Sequence, residues 1–294
     1  MTSVPCWSGP TLTYAGAVDR LNDPPSPSLT GSPTSPQEDE VDQLDEAFDR
    51  AAPRYDLLTR LNPGYHRALR LAARGLVSRL EVPGTTLSSA DQAPLTLWDL
   101  GCGSGLSTQA LLRSTGPQVR IVGLDASAGM LRQAREKDWP AGVSFVHATA
   151  QQLPAIAAEE LGRPADGAFA AYLLRNVPEE QRDAVLRSVL EQVRPGGWVA
   201  LQDYHVAGDA RAERTWTAVC RGAVTPLATV TRGHPAIYRY LWRSVLDNDS
   251  TAVLEDRVRR AGFVDLSWST AGGWQRGILH TLLARRPQQE GGLS

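Results

Sequence analysis

The stretch 97–112, LWDLGCGSGLSTQALL, constrains the fold of this chain more than any other. Residues of strand character run into a glycine-rich bend and then into a helical pattern, which is how an open α/β sheet begins a nucleotide site. Gly101, Gly103 and Gly105 let the backbone turn tightly and come close to a ligand. A dinucleotide fingerprint would place its third glycine at Leu106, so a nicotinamide-dinucleotide reading fails there. Asp99, just ahead of the bend, would repel a pyrophosphate and attract an ammonium or sulfonium group. The next strand, 120–124, ends at Asp125, about 20 residues beyond the glycines, where an acid can accept both ribose hydroxyls. Together the two acids point to S-adenosyl-L-methionine, with Asp99, Gly101, Cys102, Gly103, Asp125 and Ala126 as the first candidates to hold it.

With 294 residues the chain can form one large or two small domains, and 42% hydrophobic content suffices for a core. A formal net charge of -2 gives no electrostatic case for nucleic acid. Cys6, Cys102 and Cys220 have neither metal nor redox spacing, so no metal and no disulfide is expected, and a reduced, cytoplasmic setting fits. No apolar run approaches the roughly 20 residues that cross a bilayer, which leaves at most a peripheral membrane contact. Residues 1–41, rich in proline, serine and threonine and closing on Glu38, Asp39 and Glu40, read as a disordered tail.

From 42 to 61 Leu44, Phe48, Tyr55 and Leu58 mark helical turns interrupted at Pro53. A second helix over 68–80 turns Leu69, Ala72, Ala73, Leu76 and Val77 inward, and the two form a lid ahead of the first strand. Residues 85–94 are a linker. A helix over 127–135 brings Met130 and Leu131 near the adenine, and a strand over 143–146 leads to Ala148, Thr149 and Ala150, small enough to admit a flat base. The apolar run 167–174, which includes Tyr172, suits a central strand and ends in Arg175 and Asn176 at the mouth of the cleft. Asn176 either caps the next helix, with Pro178 and Glu179 in its first turn, or takes part in the chemistry. That helix presents Val185, Leu186, Val189, Leu190 and Val193 on one side and breaks at Gly196 and Gly197. The strand from 198 then ends near Asp203, Tyr204 and His205. Residues 206–245, with Trp216, Pro226, Tyr238, Tyr240 and Trp242, interrupt the alternation and form either a substrate cover or satellite core. A last helix over 253–261 stops at Gly262, and a last strand over 278–284 carries His280 as a packed residue.

From about residue 44 to 286 the chain resembles the ubiquinone and menaquinone C-methyltransferases among the Rossmann-like, adenosylmethionine-dependent methyltransferases. DLGCGSG is common to the whole superfamily. More specific are FDRAAPRYDLLTRL at 48–61, the Gly64, His66 and Arg67 of GYHR, LLRNV at 173–177, RPGG at 194–197 and YRYLWRSV at 238–245. The resemblance implies an α/β fold with a doubly wound, mostly parallel seven-stranded sheet, an N-terminal helical lid and an insertion over the active site. It implies one domain over 42–294, with lid 42–80, cofactor core 95–205, cover 206–245 and C-terminal helix and strands over 246–286. It also places Arg175 and Asn176 at the reaction centre and Tyr55 beside the cofactor. Thr149 departs from the family, which usually has an aspartate near the adenine amine, and Leu69 replaces a common tryptophan.

The expected activity is methyl transfer from S-adenosyl-L-methionine to carbon of a prenylated hydroquinone such as demethylmenaquinol. Arg175 would steady the phenolate, Asp203 or His205 would take the proton, and Tyr172, Asn176 and Tyr240 would line the acceptor site. A lipid-like aromatic acceptor is the expected partner, and a homodimer is possible. Two alternatives stay open: a specialised-metabolism C- or O-methyltransferase, or related cyclase, acting on an aromatic or polyketide, and a module that holds the adenosyl ligand without turnover.

Overall fold

The computed structural model describes residues 64–80, 94–224 and 235–288. The tail, the helical turns at 42–61 with Tyr55, most of the linker and Pro226 lie outside them. Strand β1 (Leu95–Leu100) is buried at every position, and β4 (Ala165–Ala171) at nearly every one. Such continuous burial suits parallel strands covered on both faces. With β2 (Val119–Asp125), β3 (Val143–His147), β5 (Val193–Tyr204), β6 (Val264–Thr270) and β7 (Leu279–Arg285), they form a seven-stranded sheet of order β3-β2-β1-β4-β5-β7-β6. Strands β1 to β5 pair in parallel, and β7 runs antiparallel between β5 and β6. The chain leaves β1 toward β2 and β3, then returns to β4 on the other side. That reversal opens a crevice outside the carboxyl ends of β1 and β4, where ligands bind in open α/β sheets.

Helices α1 (Tyr65–Val77), α2 (Leu106–Thr115), α6 (Ala210–Val219) and α7 (Pro235–Leu246) supply one apolar layer. Helices α4 (Leu153–Glu160), α5 (Glu179–Gln192) and α8 (Thr251–Arg260) supply the other, and α3 (Ala128–Arg135) follows β2. Ser127 caps α3, its side chain accepting from Met130 N.

Several expectations change. The 68–80 helix is no lid: as α1 it lies along the sheet, with Leu69, Ala73 and Leu76 essentially inaccessible. Only its first turn reaches the crevice, where Tyr65 stacks on Tyr172. The strand expected over 167–174 ends at Ala171, because Tyr172 turns the backbone to φ 60 and a 3-10 turn follows at Leu174–Asn176. The strand expected from 198 begins at Val193, so Gly196 and Gly197 sit within β5. Strand β6 completes the seven expected strands from a stretch given no bounds in the sequence, and helix α4 is additional to the expected elements. The interruption at 206–245 contributes α6, a π-helical turn at Cys220–Val224 and α7.

Candidate active site

The bend after β1 is pinned to β2 by its own amides. Gly101 N and Cys102 N both donate to Leu124 O, at 2.7 and 3.0 Å. Gly103 N donates to Asp125 Oδ2 at 2.7 Å, while Ser127 N donates to Asp125 Oδ1 at 2.9 Å. Asp125 therefore shapes the bend besides offering lone pairs to a ligand. Gly101 and Gly103 take φ of 69° and 54°, the left-handed region that glycine enters freely. A Cβ on Gly101 would lie 3.1 Å from Leu173, whereas one on Gly103 would meet open space. Close approach of a ligand to the backbone is thus possible at Gly103.

Asp99 is fully buried beneath that bend. Its Oδ2 accepts from Ser107 Oγ at 2.8 Å and Thr108 Oγ1 at 2.6 Å, and its Oδ1 has no partner among the described residues. Burial, helped by the charge of Asp125 and opposed by the two hydroxyls, pushes its carboxyl up to about 7. A buried carboxylate with one orphaned oxygen is a site prepared for a cation. The ammonium end of S-adenosyl-L-methionine fits that requirement, and the acid at Asp125 fits the ribose. Ser107 and Thr108 went unremarked in the sequence, although polar residues in the first turn of the helix after a glycine bend are a usable signal. Burial pushes the Cys102 thiol well up, and its N–H is already bonded to Leu124 O.

Met130 is buried on α3, and Ala148 and Ala150 are buried just past β3. Thr149, half-buried between them, donates its N–H to Gln152 Oε1 at 2.9 Å. Ala126 O lies 2.7 Å from His147 Nε2. The adenine candidates thus gather at the carboxyl ends of β2 and β3, next to the bend.

The second cluster forms where β4 and β5 end. Arg175 Nη1 lies 2.6 Å from Asp203 Oδ1, and both side chains are almost wholly buried, at 8% and 5% exposure. Asp203 also accepts from Tyr204 N at 2.8 Å, and the Arg175 guanidinium lies 5.3 Å from the centre of the Tyr172 ring. Arg175 is therefore no surface arginine, and Asp203, within β5, caps no helix. Asn176 is not the cap either: α5 has Pro178 at its N-cap with no side-chain bond. Asn176 Nδ2 donates instead to Tyr172 O at 3.0 Å, and its Oδ1 accepts from Tyr240 Oη at 2.9 Å. One amide thus ties the turn after β4 to α7.

His205 is buried, with Nδ1 2.7 Å from Asp249 O. A carbonyl can only accept, so Nδ1 carries the proton and Nε2, which has no partner among the described residues, keeps its lone pair. Burial lowers the pKa of this imidazole and favours that neutral form. Asp249, which the sequence reading missed, also pairs with buried Arg182 and Arg257. His280 is half-buried, with its ring 6.2 Å from that of His205. Tyr65, Tyr172, Tyr204 and Trp216 make a continuous row of rings at centroid spacings of 5.3, 5.3 and 4.9 Å. The row runs from α1 past the ends of β4 and β5 to α6. Among the described residues no group of His, Cys, Asp and Glu could hold a metal ion, and no helix is long and apolar enough to cross a membrane.

Comparisons with known proteins bear on the family and the fold. Residues 98–197 match the Methyltransferase domain family. The 2-phytyl-1,4-naphtoquinone methyltransferase of Thermosynechococcus vestitus is 31% identical over 218 residues, 74% of this chain and 88% of that protein. The ubiquinone/menaquinone biosynthesis C-methyltransferase UbiE of Methylobacterium nodulans is 27% identical over 246 residues, 81% of this chain and 89% of its own length. In architecture, an O-methyltransferase family protein from Burkholderia thailandensis superposes with a TM-score of 0.55 at 18% identity, over 86% of this chain and 64% of that one. A buried acid awaiting a cation, a bend open at Gly103 and relatives of this kind lead to one assignment: the chain belongs to the ubiquinone and menaquinone C-methyltransferase family of S-adenosylmethionine-dependent methyltransferases.

Proposed function

We propose that the enzyme methylates a ring carbon of a prenylated hydroquinone such as demethylmenaquinol. The observation that carries this reading is the buried Arg175–Asp203 pair at the crevice, beside the row of aromatic rings. S-adenosyl-L-methionine supplies an electrophilic methyl group, and the protein has to present an aligned, electron-rich carbon to it. Removing a phenolic proton makes the neighbouring ring carbon nucleophilic, and once that carbon takes the methyl group its own proton is lost to restore the aromatic ring. The Arg175 guanidinium is a fixed positive charge suited to steadying that phenolate, with little water nearby to weaken it. Asp203 already accepts from Arg175 and Tyr204 N, which leaves His205 Nε2 the better-prepared proton acceptor of the two. Tyr172 and its neighbours offer ring faces to a flat acceptor, and Asn176 with Tyr240 fixes α7 over it. The names of the relatives support the same acceptor class.

Incubation with methyl-labelled cofactor and detergent-dispersed demethylmenaquinol should place label in the quinone. Bound cofactor with no labelled quinone would refute the acceptor.

A further inference from the structure

The two helical layers differ sharply in how they treat arginine. On the layer of α5 and α8 most arginines are matched: Arg257 bonds Asp249, Asp183 and Glu179, and Arg259 and Arg260 pair with Glu255 and Asp183, while Arg187 stands without an ion pair among the described residues. On the other layer, α1 carries Arg67, Arg70 and Arg74 with no Asp or Glu in the helix. In α7 Arg239 and Arg243 stand on a helix equally free of acids. No ion pair among the described residues involves any of these five arginines. Because the whole chain is slightly acidic at -2, this is a local concentration of positive charge.

Positions 67, 70, 71 and 74 share one side of a helix. In the middle of that side stands Leu71 at 52% exposure, one of only two exposed large apolar side chains among the described residues. The stripe begins two residues after Tyr65, which stacks on Tyr172 at the crevice. In the same layer, α7 bonds the crevice through Tyr240.

From this placement we infer that the arginine face of α1 and α7 docks on an anionic lipid surface and holds the crevice against it. Unpaired arginines attract headgroup phosphates, and a leucine among them inserts at the boundary with the acyl chains. A nucleic-acid backbone would use the arginines and leave Leu71 in water. The inference extends the acceptor reading, since a prenylated acceptor resides in a bilayer, but its test contains no acceptor.

The full chain should cosediment with vesicles of phosphatidylcholine and 30 mol % phosphatidylglycerol, weakly with phosphatidylcholine alone, and less as salt rises. The variant R67Q/R70Q/R74Q should lose on the order of 10²-fold in partitioning, from roughly fivefold for each arginine near an anionic surface. R239Q/R243Q, on a separate helix, should lose part of the binding, which guards against a folding defect in α1. Affinity for S-adenosylhomocysteine should stay unchanged in both. Absence of binding to the anionic vesicles, equal binding by both variants, or tight binding to duplex DNA in place of vesicles would each overturn the inference. A docked enzyme that fails to label quinone in detergent would refute the acceptor alone.

Discussion

Replacing Asp99 by Asn should stabilise the ligand-free protein while loosening its hold on the cofactor. Burial, with a smaller push from Asp125, raises this carboxyl from 3.8 to about 7. The folded state therefore holds the proton more tightly than the unfolded chain. This favourable contribution is full below the unfolded value of 3.8 and is lost as pH rises through about 7. Some three pH units at about 1.4 kcal/mol each make a penalty of about 4 kcal/mol at pH 8, an upper bound. Asn keeps an acceptor for Ser107 and Thr108 but sets amide hydrogens where Oδ1 has no partner, which costs about 1–3 kcal/mol. A net gain of about 1–3 kcal/mol raises Tm by about 2–10 °C in a protein of this size. The gain should shrink as pH falls, cross zero between about pH 4.5 and 6 where the two costs balance, and reverse below that. Binding should behave oppositely. Without the carboxylate, affinity for S-adenosylhomocysteine should fall by about 10- to 100-fold. In the wild type the dissociation constant should climb nearly tenfold per unit below pH 7, and in D99N it should be flat. Calorimetric melts and titrations between pH 5 and 8 measure both. A variant less stable than wild type at pH 8, or a wild-type affinity unchanged over that range, would refute the reasoning.

Asp125→Asn should raise the dissociation constant of the same ligand by about 10- to 100-fold, because both the ribose acceptor and the Gly103 tether are weakened; intact affinity would place the ribose elsewhere. Arg175→Ala leaves Asp203 buried without its partner and should cost about 3–5 kcal/mol in unfolding titrations, whereas R175A/D203A should recover part of that stability without recovering turnover. Tyr240→Phe removes the bond to Asn176 and should raise the acceptor KM by about 2- to 10-fold at unchanged cofactor affinity; a fall in cofactor affinity instead would place α7 over the wrong ligand. Because burial lowers the His205 pKa, its neutral form should persist below pH 6.5, so the acid limb of kcat should lie under that value and disappear in H205Q. A limb at or above pH 6.5 that survives in H205Q would remove His205 from the reaction.

The cofactor half of the site was legible because its determinants are local. The bend, Asp99 before it and Asp125 one strand later follow from chain spacing, and the structure joins them through bonds that span one βαβ unit. The acceptor half was legible only as a roster of residues. Asn176 illustrates why: its position before Pro178 and Glu179 suited a cap, yet its amide is taken by Tyr172 and by Tyr240 from 64 positions downstream. The 68–80 pattern likewise specified a helix with one buried face but not what would bury it, and that face lies on the sheet.

Sequence alone determined most of the alternation of strands and helices, the glycine bend and the two acids that flank it, because each depends on periodicity or on neighbours close along the chain. Only the tertiary structure decided that Arg175 and Asp203 form a buried pair, that His205 keeps a bare Nε2 among the described residues and that four aromatic rings from α1, the bend after β4, β5 and α6 align. Those relations depend on strand order and on the antiparallel insertion of β7 beside β5, long-range pairings that no local pattern encodes.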